Sequence, residues 1–185
     1  MPIPLPSNAK RAYTGEFLEI WQWQQERFDG SHATFECVVL GDVAHVIPFL
    51  DAKTVLFLQQ EQPGRLPFVD VPGGRVDGDE SVLEAAKREL HEETGYEAGT
   101  WLEWTRNAHH GISRREETIF LARDIRNGSG QHLDAGEKIE LRPTRWDDLV
   151  RMCLRHELRQ PKIMLAILAM EFDSEAKERL RGWLK

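Results

Sequence analysis

The sequence predicts an α/β fold in which strands lie on both sides of one well-defined helix. Short apolar runs separated by turn residues fill the first third of the chain, as is typical of strands. Val82–Thr94 then contains no Gly or Pro and is rich in good helix formers. Further apolar runs and two helical patterns follow. With 185 residues, the chain is long enough for one well-buried core and too short for two ordinary domains with a linker.

The first elements are predicted to be strands joined by short turns. Residues 1–12 are rich in proline and are expected to be extended. Asp29-Gly30 is a strong hairpin signal. The strands that this and later turns separate are Phe17–Gln25, His32–Leu40, Ala44–Leu50 and Thr54–Gln59.

The first of these strands is apolar on both faces as far as Ile20, so it requires cover on both sides. Trp21 and Trp23 continue it. These tryptophans either complete a monomeric core or face a second copy of the chain. We therefore divide the sequence into an N-terminal antiparallel β extension, 1–40, and a main domain, 41–185.

The central helix has signals at both of its ends. Ser81 and Glu84 have the S-x-x-E spacing of a capping box, which marks a helix start. Gly95 stands where a left-handed residue would end the helix. Leu83, Ala86 and Leu90 recur at helical spacing and predict a buried stripe.

Three glutamates lie beside that stripe, near the end of the helix. Glu89, Glu92 and Glu93 are neighbours at i, i+3 and i+4, where like charges destabilise a helix. The helix dipole adds to this cost, and Arg88 offsets only part of it. A solvated acidic face is one interpretation, and a bound cation is the other. Carboxylates without nearby His or Cys favour Mg²⁺ or Mn²⁺, which are often shared with substrate phosphates.

The elements after the central helix are predicted as three strands and two helices. Asn127–Gly130 is a Gly-rich segment that predicts a mobile loop. The strands are Trp101–Asn107, Glu117–Arg123 and Lys138–Trp146, and the helices are Asp147–Glu157 and Pro161–Phe172.

Composition excludes several classes of function. The formal net charge of −7 and the lack of a basic stripe argue against binding nucleic acid. Cys37 and Cys153 lie in apolar or helical stretches and are expected to be reduced, buried thiols. The longest apolar run, Ile163–Met170, is too short to span a membrane, and the N-terminus lacks the apolar core of a signal peptide. We expect a cytoplasmic protein.

Gly74–Tyr96, GRVDGDESVLEAAKRELHEETGY, resembles the Nudix box, G-x5-E-x7-R-E-U-x-E-E-x-G-U, in which U is a bulky aliphatic residue. Every Gly and charged position of the box matches, and Tyr96 is the one departure. The resemblance implies an α/β/α sandwich with a mixed sheet for residues 41–185. It also implies hydrolysis of a nucleoside diphosphate linked to another moiety, with Mg²⁺ as cofactor and Mn²⁺ as a substitute.

The resemblance also assigns roles to the residues of the box. Glu89, Glu92 and Glu93 would bind the metal, directly or through water, with the Gly73 carbonyl as a further ligand. Arg88 would orient the glutamates, with Glu80 in the same network. Glu92, Glu93 and Arg88 are therefore the catalytic candidates of this segment.

Similar enzymes carry an acidic loop before a late strand, and Asp134–Glu140 is such a segment. A flexible loop can bring a carboxylate over the bound substrate to orient water. Glu137 is the predicted base and Glu140 is the second candidate. These residues are otherwise ordinary loop carboxylates.

The resemblance extends to the ADP-ribose pyrophosphatase branch over most of the chain. It rests on Tyr13–Phe17, Val46–Pro48, Gln59–Gln62, Asp70–Arg75, Gly111–Ser113 and Glu117–Ala122. Many relatives have an Arg within the segment that is Gln59–Gln62 here. A similar N-terminal sheet builds a homodimer in that branch, so we expect a homodimer.

The branch implies a nucleotide-sugar substrate, with ADP-ribose giving AMP and ribose 5-phosphate. GDP-mannose, NADH and dinucleoside polyphosphates are alternatives. The candidate substrate-binding residues are Arg75, His110, Arg114, Trp21 and Trp23. His109, His110, Arg114 and Arg115 are placed between two strands, where exposed loop charges are the other interpretation.

Two classes of protein outside the hydrolases share this resemblance. A catalytically inactive Nudix domain can serve as a ligand sensor, but such proteins usually lack box carboxylates or add a DNA-binding module. An isopentenyl-diphosphate isomerase has a catalytic cysteine in a motif that Cys37 and Cys153 do not match.

Overall fold

The computed structural model describes residues 4–185, apart from the side chain of His110. Within this range the chain forms ten strands and four helices. In chain order they are β1 (Lys10–Thr14), β2 (Leu18–Glu26), β3 (His32–Leu40), β4 (Val43–Asp51), β5 (Thr54–Glu61), β6 (Phe68–Asp70), β7 (Gly73–Arg75), α1 (Val82–Thr94), β8 (Tyr96–His110), β9 (Ser113–Asn127), β10 (Lys138–Arg145), α2 (Trp146–Leu154), α3 (Pro161–Phe172) and α4 (Ser174–Leu184).

The strands form one mixed sheet, as the sequence predicts. Its main path runs β1-β2-β3-β9-β4-β5-β10, while β6, β7 and β8 pair with β5, β4 and β9 respectively. The first three strands are antiparallel, and they join the rest through a short parallel contact between β3 and β9. In the centre, β4 and β9 run parallel over six residue pairs. The predicted N-terminal antiparallel extension is therefore present.

Helices cover both faces of the central strands, because side chains of β4 alternate between two apolar clusters. Ala44 and Val46 pack with Leu90 of α1 on one face. Ile47 and Phe49 pack on the other face against α2, α3 and α4. Burial of these side chains from water is the main force that holds the layers together. The arrangement is the predicted α/β/α sandwich.

Both predicted ends of α1 are confirmed in the structure. The Ser81 side chain accepts a hydrogen bond from the Glu84 backbone N–H, and the Glu84 carboxylate accepts one from the Ser81 N–H. Gly95 ends the helix in the left-handed conformation, with φ of 72°. These caps place the last turn, with its glutamates, at a fixed position beside β7.

Several elements differ from the prediction. The pair β8 and β9 is longer than expected, so His109, Arg114 and Arg115 belong to strands rather than to a loop. The long antiparallel pairing continues up to the turn at Gly111-Ile112 and keeps these polar residues within the ladder. The unpredicted elements are β1, β6, β7 and α4. Residues 1–12 are expected to be extended, and the first three of them lie outside the described residues.

Over residues 4–185, none of the helices combines the length and the apolar character that crossing a membrane requires.

Candidate active site

The last two turns of α1 place a buried carboxylate against β7. Glu93 is 4% exposed, and its Oε2 accepts a hydrogen bond of 2.8 Å from the Gly73 backbone N–H. Gly73 is held there because β7 pairs with β4, with Gly73 opposite His45. The strand-to-helix contact therefore fixes the carboxylate and the glycine backbone in one place.

Glycine is required in β7 because the backbone and the carboxylates approach closely. A Cβ at Gly74 would lie 2.1 Å from Glu89 Oε1, and a Cβ at Gly73 would lie 2.4 Å from the Ala44 carbonyl oxygen. Neither contact can be relieved without moving the carboxylate or the strand. The Gly-Gly pair thus lets Glu89 lie directly against the backbone of β7.

Arg88 connects the glutamates of the Nudix box segment. Its Nη1 donates to Glu89 Oε1 at 2.8 Å and to Glu92 Oε2 at 2.9 Å. Its Nη2 donates to Glu80 Oε1 at 2.8 Å and to the Arg75 carbonyl at 2.9 Å. Hydrogen bonds with these carboxylates raise the pKa of Arg88 above its ordinary value. A single guanidinium therefore orients three carboxylates, with Glu80 in the network as expected.

The ionised forms of Glu89 and Glu93 are disfavoured in the metal-free site. Burial raises the pKa of Glu89, although Arg88 opposes the shift. Burial also raises the pKa of Glu93 well above its ordinary value, and the Gly73 N–H opposes this only in part. Both groups are further raised by repulsion from Glu137. Such a site favours an added cation, because a positive charge would relieve each of these penalties.

The donors at this site suit a hard cation. Glu89, Glu92, Glu93 and the Gly73 carbonyl offer only oxygen, which Mg²⁺ and Mn²⁺ prefer. In this structure Arg88 binds the carboxylates of Glu89 and Glu92. Within the described part of the chain, no three His, Cys, Asp or Glu side chains lie close enough together to hold a metal ion. The oxygen donors and their uncompensated charge suit a hard cation, although these side chains do not converge on one point in this structure.

The connection between β9 and β10 lies on the C-terminal end of α1 and carries Glu137. The His132 N–H donates to the Glu92 carbonyl at 2.8 Å, and Gln131 Nε2 donates to the Glu93 carbonyl at 2.7 Å. Ser129 Oγ lies within 3.0 Å of a ring nitrogen of both His91 and His132. This connection is a loop, and several hydrogen bonds attach it to α1. Each of these contacts keeps Glu137 near the glutamates.

The two candidate bases differ in their surroundings. Burial raises the pKa of Glu137, and charges on Asp134 and Glu92 raise it further. Glu140 is 72% exposed at its side chain and lies 4.0 Å from Arg142. The structure thus brings Glu137, and not Glu140, into the electrostatic environment of the α1 carboxylates.

The predicted substrate-binding residues are divided between the box and the N-terminal extension. Arg75 lies next to the box network, and its guanidinium stacks 4.3 Å above the ring of Phe17. The Arg114 guanidinium lies 5.9 Å from the Trp23 ring. Trp21 Nε1 donates to Glu19 at 2.8 Å on the same extension. The side chain of His110 lies outside the described residues.

The structure adds polar groups that the sequence analysis did not select. Asp70 is 5% exposed, and burial raises its pKa to about 7. Burial lowers the pKa of His45 to about 4. Glu117 lies beside His45 and pairs with Lys162 at 2.9 Å. The sequence signal for Asp70 and His45 is a single Asp or His within an otherwise apolar strand.

Comparison with known proteins agrees with this fold. A glutamate-bearing capped helix packed on a Gly-Gly strand within a mixed-sheet sandwich defines the Nudix hydrolase class. The family model of the NUDIX domain matches residues 39–166. The chain belongs to the NUDIX domain family.

Individual relatives support the same grouping. An uncharacterized Nudix hydrolase of Schizosaccharomyces pombe is 33% identical over 141 residues, which cover 71% of this chain and 66% of that protein. The chain thus spans about two thirds of the length of that relative. A methanol dehydrogenase activator of Bacillus methanolicus is 25% identical over 144 residues, or 75% of this chain and 76% of that one.

A solved structure resembles the whole chain. The crystal structure of an ADP compounds hydrolase superimposes with a TM-score of 0.76 and covers 96% of this chain and 94% of its own. At 16% identity, this likeness shows the fold.

Proposed function

We propose that this protein is a Mg²⁺-dependent hydrolase of the pyrophosphate bond in a nucleoside diphosphate linked to a second moiety. The observation that carries the proposal is the end of α1, where the partly buried Glu89 and the buried Glu93 lie within electrostatic reach of Glu137. The proposed substrate is ADP-ribose, which would give AMP and ribose 5-phosphate. The similar fold of an ADP compounds hydrolase supports a substrate that contains ADP.

The metal would be held by Glu89, Glu92, Glu93 and the Gly73 carbonyl, with Mn²⁺ able to replace Mg²⁺. When bound, the metal neutralises pyrophosphate oxygens and lowers the pKa of a bound water. Arg88 keeps the carboxylates in position through its bonds to Glu89 and Glu92. Since Arg is always charged and binds through a rigid fork, it suits this orienting role.

Glu137 is the proposed general base. Its raised pKa lets it accept the proton of the attacking water, while the bond between phosphorus and the bridging oxygen breaks. The attachment of its loop to α1 through Gln131 and His132 holds the carboxylate near the glutamates. Glu140 remains the second candidate, although its exposure makes it less suited to this role.

Substrate contacts are proposed for Arg75, Arg114, Trp21 and Trp23, and for His110. Arg75 links the box network to Phe17 of the N-terminal extension. Trp23 and Arg114 form a half-buried aromatic and cationic pair that suits a nucleobase. Because these groups lie on residues 1–40 or beside them, the extension contributes to binding in this proposal.

A homodimer built on the N-terminal extension is part of the proposal. Tyr13, Phe17, Phe28 and Phe35 all expose their rings in the single chain. Aromatic side chains supply much of the binding energy at protein interfaces. Pairing of two extensions would cover these rings.

The thiol of Cys153 and the carboxylates of α1 disfavour the two classes outside the hydrolases, the isomerase and the inactive ligand sensor. Burial raises the pKa of Cys153 to about 12, so this thiol is not available as the reactive group of an isomerase. The intact carboxylates of Glu89, Glu92 and Glu93 favour a hydrolase over an inactive ligand sensor.

Product analysis tests the proposed function. The protein is incubated with Mg²⁺ and, separately, with ADP-ribose, GDP-mannose, NADH and diadenosine polyphosphates. Release of AMP and ribose 5-phosphate from ADP-ribose supports the proposal. Preference for another compound retains the chemistry and replaces the substrate, whereas no hydrolysis with Mg²⁺ or Mn²⁺ favours the sensor.

A further inference from the structure

Three connections of the chain meet beside Glu137 and form a groove. They are the β5–β6 connection with Arg65, the β9–β10 connection with Glu137, and the α2–α3 connection with Arg159. One hollow of about 450 Å³ is lined by Arg65 and Glu137, and a second of about 470 Å³ is lined by Arg65 and Arg159. Arg65 and Pro67 line both hollows, so the two hollows adjoin each other at these residues.

The backbone fixes the position of Arg159 in this groove. Val69 and Leu158 form a parallel bridge, and the Arg159 N–H donates to the Val69 carbonyl at 3.0 Å. The Arg159 guanidinium stacks 4.4 Å from the centre of the Phe68 ring. It therefore lies flat on an aromatic face, and its N–H groups remain available for a ligand.

The lining of the groove combines three cations, Arg65, Lys138 and Arg159, with three carboxylates, Glu61, Glu137 and Glu157. The chain has a formal net charge of −7, yet neither Arg65 nor Arg159 forms a side-chain hydrogen bond or salt bridge with any described residue. The nearby acids Glu61 and Glu157 already pair with Lys138 at 2.9 Å and with Arg155 at 3.8 Å. The Arg65 and Arg159 guanidinium groups thus line the groove without a salt-bridge partner among the described residues.

We infer that Arg65 and Arg159 form a phosphate-binding subsite in this groove, next to Glu137. Arg groups bind phosphate through paired N–H donors, and two of them suit a doubly charged group. This inference rests on the proposed function in one respect: the phosphate would belong to the substrate whose pyrophosphate lies at Glu89 and Glu93. It is either the second phosphate of the diphosphate or a further phosphate on the other moiety.

Binding is measured first without metal and without turnover. Inorganic phosphate is titrated into the full-length protein in EDTA, and the Nε–Hε signals of the arginines are followed by NMR. Signals that vanish in Arg65→Gln and Arg159→Gln identify the two groups, and Arg181→Gln on α4 identifies a control signal. The subsite predicts that the Arg65 and Arg159 signals shift together. Shifts no larger than that of Arg181 overturn it.

Kinetics then separate the two sources of phosphate. Loss of a charge-assisted bond predicts that Arg65→Gln raises KM by about tenfold and changes kcat by less than about twofold. An increase for both ADP-ribose and diadenosine tetraphosphate assigns the subsite to the diphosphate, and an increase for the tetraphosphate alone assigns it to a further phosphate. An unchanged KM for both contradicts the subsite.

The two proposals fail separately. A protein that hydrolyses neither compound but shows the phosphate-dependent shifts keeps the subsite and loses the proposed function. Hydrolysis with an unchanged KM in Arg65→Gln, and without the shifts, keeps the function and removes the subsite. Arg65 lies in an exposed turn, so its substitution is not expected to affect folding.

Discussion

Glu93 has the least compensated charge among the residues at the end of α1. One of its oxygens accepts a hydrogen bond from the Gly73 backbone N–H, and Glu89, Glu137 and Asp70 all raise its pKa further. Folding places these groups together although they repel one another. Residues that weaken the metal-free protein in this way are common at functional sites, where the ligand supplies the missing charge.

Burial of the Asp70 carboxyl makes the stability of the metal-free protein depend on pH. Burial raises its pKa from 3.8 to about 7, so the folded state holds the proton more tightly than the unfolded state between these values. Stability of the metal-free protein should therefore fall as the pH rises from about 4 to 7 and then level off. Asp70→Asn removes this contribution and should be more stable above pH 7 by roughly 2–4 kcal/mol.

Urea unfolding in EDTA between pH 4 and pH 8 measures the effect of Asp70→Asn. The exposed Asp79→Asn is a matched control that should follow the wild-type curve. Parallel pH curves for wild type and Asp70→Asn would show that burial of this carboxyl carries no such cost.

Glu137 and Glu140 provide a second test at the level of residues. Glu137→Gln keeps the shape and the hydrogen-bond acceptor but cannot accept a proton. It should lower kcat by about 10²–10⁴-fold without lowering the urea midpoint. Glu140→Gln, at an exposed position, should retain most of the activity. Steady-state kinetics of both variants decide the assignment, and the reverse ranking would transfer the role of base to Glu140.

At the level of elements, close packing between α1 and the β9–β10 connection holds the site together. Gly95 has φ of 72°, and a Cβ there would lie 2.5 Å from the Gly130 carbonyl carbon. Gly95→Ala should therefore destabilise the protein by about 1–3 kcal/mol and lower activity, because the connection that carries Glu137 must move.

A second glycine gives a matched control for this change. Gly182 lies in α4, and a Cβ there would meet no atom within 4 Å. Gly182→Ala should be neutral or stabilise by up to about 1 kcal/mol, since Ala favours helix. Thermal unfolding compares both variants. Equal stability of Gly95→Ala and wild type would mean that the connection is not tightly packed on the helix.

Local signals explain which elements were predictable. The capping box and Gly95 mark the ends of α1 within a few residues, so this helix and its glutamates could be placed from the sequence. By contrast, β6 and β7 have three residues each and exist because of pairing with β5 and β4. Such non-local partners leave no periodic pattern in a short segment.

The same distinction applies to the site. Arg88, Glu89 and Glu93 lie on one helix at fixed spacing, and their proximity follows from helix geometry. The contact of Glu93 with Gly73 and the attachment of Gln131 to α1 depend on the tertiary fold. Arg159 likewise depends on the tertiary fold, so no sequence pattern singles it out.

At the level of the whole molecule, the extension and the main domain make different contacts. The extension joins the rest of the sheet through two parallel pairs, Val38 with Ser113 and Val39 with Arg114. The rings of Phe17 and Phe35 on this extension are exposed. Exposed apolar rings on one element predict an association between two copies of the chain. Light scattering should give twice the 21.4 kDa of the chain. A mass of one chain at micromolar concentration would refute the homodimer.

We propose that the carboxylates at the end of α1 form a metal-dependent hydrolytic site. The most direct measurement is the Mg²⁺-dependent release of AMP from ADP-ribose by wild type and Glu93→Gln, with Mn²⁺ binding followed by EPR in the same samples. We predict turnover and Mn²⁺ binding by wild type, with both strongly reduced in a Glu93→Gln protein that remains folded. Equal Mg²⁺-dependent turnover by the two proteins would contradict the claim.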